Sequence, residues 1–352
     1  MCRFSFIFLV MTLFFSALFI PLTSAQGSTT RAVIFMYHRF GEDRFPSTNI
    51  KIEQFEQQLE FLDTNGFIIL PLEEIVDALK NNTSLPDKAV AITIDDAYQS
   101  VYDEAYPRLK KRNFPFTVFI APQTVDEEIE AYMGWQQIRE MHRSGVTFAN
   151  HSLNHDYLVR RKHGESKDSW VKRVTLDLQT AQQRLQEELG SAPALFAYPY
   201  GEFNLELMDI VNDLGYTAFG QHSGSIGPLS NMTALPRFPV AEAFADMTAF
   251  KTKALSLPMP VMQQDPVNPQ TSDRQPLLTV KLAPTDANLE QLACYLGNTQ
   301  MQIQWIKADE TFSIQASENL PPGRSRYNCT APSSAENRYY WYSHQWILPL
   351  NN

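Results

Sequence analysis

The feature that most constrains this fold is an alternation running from Arg31 to about Phe250. Short apolar segments lie at Ala32–Tyr37, Phe67–Ile69, Ala89–Ile94, Phe116–Ile120, Thr147–Ala149 and Ala194–Tyr198, with a weaker one at Thr217–Phe219. Between them run stretches of helical periodicity at Ile52–Asn65, Leu72–Lys80, Val101–Arg112, Trp135–Ser144, Ser169–Leu189 and Leu205–Leu214. Gly66, Gly145, Gly190 and Gly215 stand just past four of these helices, where a left-handed C-terminal cap favours glycine. Strand–helix–strand spacing of this kind implies parallel strands joined by crossover helices. Seven or so such units favour a barrel, which need not close, over a doubly wound sheet. Neither GxGxxG nor GxxxxGK[ST] occurs, so nothing supports nucleotide binding.

The flanks of this region read differently. Arg3 followed by the largely apolar run Phe4–Ile20, then Thr23-Ser24-Ala25, has the layout of a secretory signal removed after residue 25. The run of 17 residues is short against the roughly 20 needed to span a bilayer, so a stable transmembrane anchor is not expected. The expected organisation is a signal at 1–25, a strand–helix domain at 26–256, a proline-rich extended linker at 257–276 and a small all-β domain at 277–352. The linker reading rests on five prolines and little periodicity in Leu257–Pro276. The β reading rests on candidate strands at Leu277–Leu282, Met301–Ile306, Phe312–Gln315, Arg326–Cys329 and Tyr339–Ile347. After signal removal two cysteines remain, Cys294 and Cys329, which in an exported chain most simply form one disulfide. The export route predicts a periplasmic or extracellular protein. With 29 basic against 39 acidic residues the chain is acidic, which argues against a nucleic-acid partner.

Three motifs stand at predicted strand ends. The strand Ala89–Ile94 runs into Asp95-Asp96, a carboxylate pair where barrel active sites form, though Asp is also common as a helix N-cap. His151-Ser-Leu-Asn-His155 follows the next-but-one strand. Histidines four apart on a helical turn share a face, which suits metal ligation or acid–base work as well as a plain surface turn. One Asp with two His makes a three-ligand set with room for water, and the second Asp is then free to act as a base. Phe196-Ala-Tyr-Pro-Tyr-Gly201 is either an ordinary turn or one whose glycine lets backbone approach a ligand.

Together these motifs resemble the polysaccharide deacetylases of the NodB-homology type, carbohydrate esterase family 4. Thr93-Ile-Asp-Asp96, His151-Ser-Leu-Asn-His155 and Pro199-Tyr-Gly201 match its three motifs, over roughly residues 31 to 240. Val33-Ile-Phe-Met-Tyr-His38 and FAYPYG are similar to the branch acting on poly-β-1,6-N-acetylglucosamine. The resemblance implies a distorted (β/α)7 barrel. It implies Asp95 as catalytic base and Asp96, His151 and His155 as ligands of a divalent metal, commonly zinc, sometimes cobalt or nickel. The backbone N–H of Tyr200 then helps hold the oxyanion. Two departures stand out. The Arg that opens the third motif falls on Ala197, and Arg237 is the candidate to replace its charge. The histidine that normally protonates the leaving nitrogen has no counterpart motif. His222 is the candidate for that acid, and His38 is a further pocket residue, in a supporting or substrate-binding role.

The expected activity is release of acetate from an N-acetylated polysaccharide or oligosaccharide, with the β-1,6 polymer favoured over peptidoglycan or chitin-type glycans. The competing readings are an O-acetyl glycan esterase of the xylan type and a weakly catalytic carbohydrate-binding or matrix protein. The all-β domain is left as a possible glycan or protein contact.

Overall fold

The computed structural model describes residues 30–350. The expected signal segment therefore lies outside the described residues. The catalytic region is built on one parallel sheet whose strands are β1 (Val33–Tyr37), β2 (Ile68–Ile69), β3 (Ala89–Asp95), β4 (Thr117–Ile120), β5 (Thr147–Asn150), β6 (Leu195–Ala197), β7 (Thr217–Phe219) and β8 (Phe238–Pro239). Their order is β8-β1-β3-β4-β5-β6-β7, with the short β2 added beside the start of β3. A parallel bridge between Phe219 and Leu235 links β7 to the segment that leads into β8. The sheet thus curls round until its edges meet, as a distorted (β/α)7 barrel requires.

Alternation along the strands sorts the side chains. Val33, Phe35, Val90, Ile92, Val118 and Phe148 share a core with Phe55, Leu59 and Leu62 of helix α1 (Ile52–Thr64). Ile34, Ala91, Phe119, Ala149, Ala197 and Phe219 form a second core inside the curl. Three of those inward positions are alanine. Asp95, with the parity of Ala91 and Thr93, shares the inward face. Every residue of β3 is buried, as expected for a strand covered on both sides.

Register then aligns the C-terminal strand ends. Tyr37 pairs with Ile94, Asp95 with Phe119, Ile120 with Asn150, Asn150 with Phe196 and Ala197 with Phe219. His38, Asp95-Asp96, His151 and the turn after Ala197 therefore emerge on one rim, although they are far apart in the chain.

The C-terminal region is an all-β unit of two sheets around one core. One sheet runs β9 (Leu257–Pro258), β17 (Tyr339–Leu348), β16 (Gly323–Pro332), β12 (Ala293–Leu296), β13 (Thr299–Met301). The other runs β10 (Val261–Asp265), β11 (Leu277–Leu282), β15 (Thr311–Gln315), β14 (Ile303–Lys307). Cys294 and Cys329 face each other across β12 and β16 and are joined by a disulfide. The stretch expected to be a linker is instead structural, since β9 and β10 each add a strand to one sheet. Both are edge strands, where proline costs no ladder hydrogen bond, and this is why a proline-rich segment pairs at all. Among the described residues no helix is long and apolar enough to cross a membrane.

Candidate active site

Asp95 ends β3 with its carboxylate fully buried. A buried carboxylate needs a partner, and Arg237 supplies it as a fork: Nη1 donates to Oδ1 at 2.6 Å and Nη2 to Oδ2 at 2.7 Å. Arg237 is itself fully buried and is fixed from behind, donating through Nε to the Gly220 carbonyl at 3.0 Å and through Nη1 to Thr93 Oγ1 at 3.2 Å. Burial opposes ionisation of Asp95. The charges of Arg237 and His151 and the bonds from Arg237 outweigh it and hold the carboxyl at about 2. The position that opens the third motif is Ala197, and the guanidinium beside Asp95 comes from Arg237 at the seam where the barrel closes.

Asp96 turns the chain away from the strand with a left-handed φ of 63°, a conformation that a short polar side chain tolerates. Its Oδ1 lies 3.8 Å from His151 Nε2 and 3.7 Å from His155 Nε2. Ligating atoms of these three side chains all lie within 4.8 Å of one another. His151 is fully buried, and its Nδ1 lies 2.7 Å from the Ala197 carbonyl. A carbonyl only accepts, so Nδ1 carries the proton and Nε2 is left with a lone pair. That Nε2 is buried and has no hydrogen-bond partner. Burial, above all, lowers the His151 pKa to about 4, which keeps the ring neutral and suited to ligation.

The two histidines do not share a helical turn. Ser152 and His155 both have left-handed φ, of 67° and 59°. Asn150 Oδ1 accepts from the Ser152 N–H at 2.9 Å and Ser152 Oγ accepts from the His155 N–H at 2.9 Å. These local side-chain bonds replace the helical ladder, and Asn and Ser at those positions are the sequence signal for such a loop. Leu153, at the loop's tip, donates its N–H to Asp177 of helix α2 (Lys167–Leu189) at 3.0 Å.

The third motif forms a single tight turn, Pro199–Gly201, with Tyr200 at φ 58° and Gly201 at φ 66°. The turn is closed by bonds from the Gly201 and Glu202 N–H groups, so the Tyr200 N–H takes no part in it. Glycine at 201 makes room for a side chain, since a Cβ there would fall 2.5 Å from Gln221 Cβ. The Tyr200 ring lies 4.5 Å from the His155 ring and stacks on Tyr157 at 3.7 Å and 6°. Together they form an aromatic wall beside the ligand cluster.

The remaining two histidines sit in different surroundings. His38 follows β1 abreast of Asp95, and the charges that act on it are those of Asp95, Asp96, Arg237 and His155. Burial, countered by the two carboxylates, lowers its pKa. His222 instead packs its ring 5.7 Å from Phe203 and lines a cavity of about 540 Å³ between the barrel and the β unit. Burial and then the positive field of Arg326 take it down to about 3, so it carries no proton to give at neutral pH. Its main chain contributes to the site, because the His222 carbonyl accepts from the Arg237 N–H at 3.0 Å.

With this geometry in view, the comparisons identify the domain. Residues 82–219 match the family model described as polysaccharide deacetylase. The chain carries a polysaccharide deacetylase domain. It is 23% identical over 302 residues to a poly-beta-1,6-N-acetyl-D-glucosamine N-deacetylase of Escherichia coli strain K12, covering 76% of this chain. The match spans 44% of that relative, less than half its length. A Staphylococcus aureus protein of the same name, from strain MSSA476, is 26% identical, over 59% of this chain and 73% of its own. Among solved structures, IcaB from Ammonifex degensii superposes with a TM-score of 0.54 at 28% identity, covering 64% of this chain and 97% of that one. The Streptococcus pyogenes deacetylase PplD, solved with acetate, reaches a TM-score of 0.56 at 24% identity, covering 62% and 95%. The deacetylase family match begins after His38 and ends before Arg237, so both lie outside the matched segment.

Proposed function

We propose that this protein is a metal-dependent polysaccharide de-N-acetylase acting on an N-acetylglucosamine polymer, with the β-1,6-linked polymer as the favoured substrate. The observation that carries the reading is the juxtaposition of a buried, ionised Asp95 with an Asp96–His151–His155 cluster whose buried Nε2 is unpartnered. The cluster fits a divalent cation of borderline hardness, zinc first, with cobalt or nickel as alternatives: one carboxylate oxygen and two imidazole nitrogens converge, and the His151 ring is oriented by its bond to Ala197. When bound, such an ion would polarise the acetyl carbonyl and lower the pKa of water beside it.

The chain's own groups supply the rest. Asp95, kept ionised by Arg237, accepts a proton from the attacking water as its oxygen bonds to the acetyl carbon. The oxyanion that forms on the acetyl oxygen is met by the Tyr200 N–H, which the turn leaves free. His38 delivers a proton to the sugar nitrogen as the C–N bond breaks. Its lowered pKa leaves the resting ring neutral, so the proton it passes on is the one that Asp95 draws from the attacking water. Acetate and a free amine leave the site.

The reading includes export, supported by the Cys294–Cys329 disulfide and by the signal-like first 25 residues. The test is acetate release by zinc-loaded protein from poly-β-1,6-N-acetylglucosamine, chitin oligomers, peptidoglycan and acetylxylan. Release from the β-1,6 polymer, lost in Asp95→Asn, is expected. Release from acetylxylan alone makes the protein an O-acetyl esterase. No release from any glycan with metal bound removes the enzymatic reading.

A further inference from the structure

The sheet of the β unit that faces the barrel is unusual in what it buries. In β16 and β17, Arg324 pairs with Ile347, Arg326 with Gln345 and Asn328 with Ser343, so these six residues share one face. The opposite face carries Tyr327, Cys329, Trp346 and Leu348 into the unit's own core. The first face is largely polar, yet Gln345 and Ser343 on it are buried. A polar row enclosed between two domains needs partners, and the barrel provides them at one place. Arg324 Nη1 donates to the Tyr200 carbonyl and, at 3.0 Å, to Gln221 Oε1. Gln345 Nε2 donates to the Gly201 carbonyl at 3.0 Å. Just beyond the turn, Asn204 Nδ2 donates to Gln270 Oε1 at 2.7 Å, and the Leu205 N–H donates to Asn268 Oδ1 at 3.3 Å.

We infer that the C-terminal β unit is a built-in part of the deacetylase site, with Arg324 and Gln345 as positioning residues for the Tyr200–Gly201 turn. This rests on the role proposed above for the Tyr200 N–H. Two consecutive residues with left-handed φ form a turn that local preference alone does not select for tyrosine. Both outward carbonyls of that turn are held by side chains of the β unit. These bonds hold the Tyr200–Gly201 and Gly201–Glu202 peptide planes, and the Glu202 N–H, which donates to the Pro199 carbonyl, ties the Pro199–Tyr200 plane and its free N–H to them. The β unit thus acts through the turn and makes no contact with the acetyl group itself.

The test uses the full chain with zinc and the variants Arg324→Met, Gln345→Met and their double, which keep the aliphatic stems and remove the donors, with Arg324→Lys as the conservative replacement. Complete removal of an oxyanion donor costs about 10²–10³ in kcat. A donor misdirected in part of the population is expected to cost about 10- to 100-fold in the double variant. KM should stay within about twofold, and Arg324→Lys should recover most of the loss of Arg324→Met. Hydrogen exchange at residues 198–204 should quicken in the double variant, while exchange at 94–97 and 150–156 holds. A double variant with unchanged exchange at 198–204 overturns the inference, as does one with wild-type kcat or one whose loss lies in KM. If the wild type releases no acetate, the enzymatic reading fails separately, and exchange at 198–204 still decides whether the β unit holds the turn.

Discussion

Replacing Arg237 with Met should damage the protein in a way that identifies the Asp95–Arg237 pair as its cause. Both side chains are fully buried and joined by two short bonds. Removing one partner of such a pair costs about 3–5 kcal/mol, because the other is left as a buried, uncompensated charge. The protonation equilibrium gives a consistent scale: holding Asp95 at about 2 against an ordinary 3.8 corresponds to about 2.5 kcal/mol. The sign follows from the depression. Stability from this carboxylate is present above pH 3.8 and is lost as pH falls through about 2. Without Arg237, burial is opposed only by the charges of His151 and His38 and the Asp95 pKa rises, so the variant's deficit should be largest at pH 7 and shrink toward pH 3. The assay is urea unfolding of metal-free wild type, Arg237→Met, Asp95→Asn and the double variant at both pH values. The double variant should be less destabilised than the sum of the singles by several kcal/mol. A coupling below about 0.5 kcal/mol, the scatter expected of independent sites, would refute the reasoning. So would a deficit that is equal at pH 7 and pH 3.

Zinc should raise the melting temperature of the wild type and leave His151→Gln unmoved, read by thermal unfolding with and without metal. His38→Gln should lower kcat for acetate release by about 10²–10⁴-fold, the usual worth of a general acid, while His222→Asn stays within about threefold of wild type. Burial, opposed by the Leu153 N–H bond, raises Asp177 to about 6. A raised carboxyl contributes stability that is full below pH 3.8 and lost as pH rises through about 6. Asp177→Asn should therefore be about 3 kcal/mol more stable than wild type at pH 7.5, with the two converging near pH 4, as unfolding curves would show.

What could be read from the chain alone follows the range of the forces involved. The barrel strands β1 to β7 were visible because burial leaves apolar runs, while the two-residue β8, half of it proline, was not; six helices were visible because their period is local, four of them with a glycine cap. The strand-end motifs were visible for the same reason. The conformation of His151–His155 was not, because four-residue spacing fits a helix while the Asn150 and Ser152 side-chain bonds set a loop. Pairing partners of edge strands β9 and β10 were hidden by prolines that only an edge tolerates. Arg324 and Gln345 were beyond reach, since their function depends on a contact across 124 and 144 residues of sequence.

The Arg237 case shows how one chemical requirement survives a change of address. A buried Asp95 requires a cation on its inner side, and the strand end at Ala197 is where the family pattern places it. In this chain Ala197 shares a core with Phe119, Phe219 and Leu235, and its carbonyl accepts a hydrogen bond from His151 Nδ1. The Arg237 guanidinium lies over those same two phenyl rings, 5.3 Å from Phe119 and 6.0 Å from Phe219. A long side chain at 197 and one at 237 would compete for one space, and a second guanidinium there would be a like charge without a carboxylate. Alanine at 197 is thus the complement of arginine at 237. The charge has moved from the end of β6 to the start of β8, which meets β7 at the closing seam. Because that seam holds Arg237 through Gly220 and His222, closure of the barrel and ionisation of Asp95 depend on the same few hydrogen bonds.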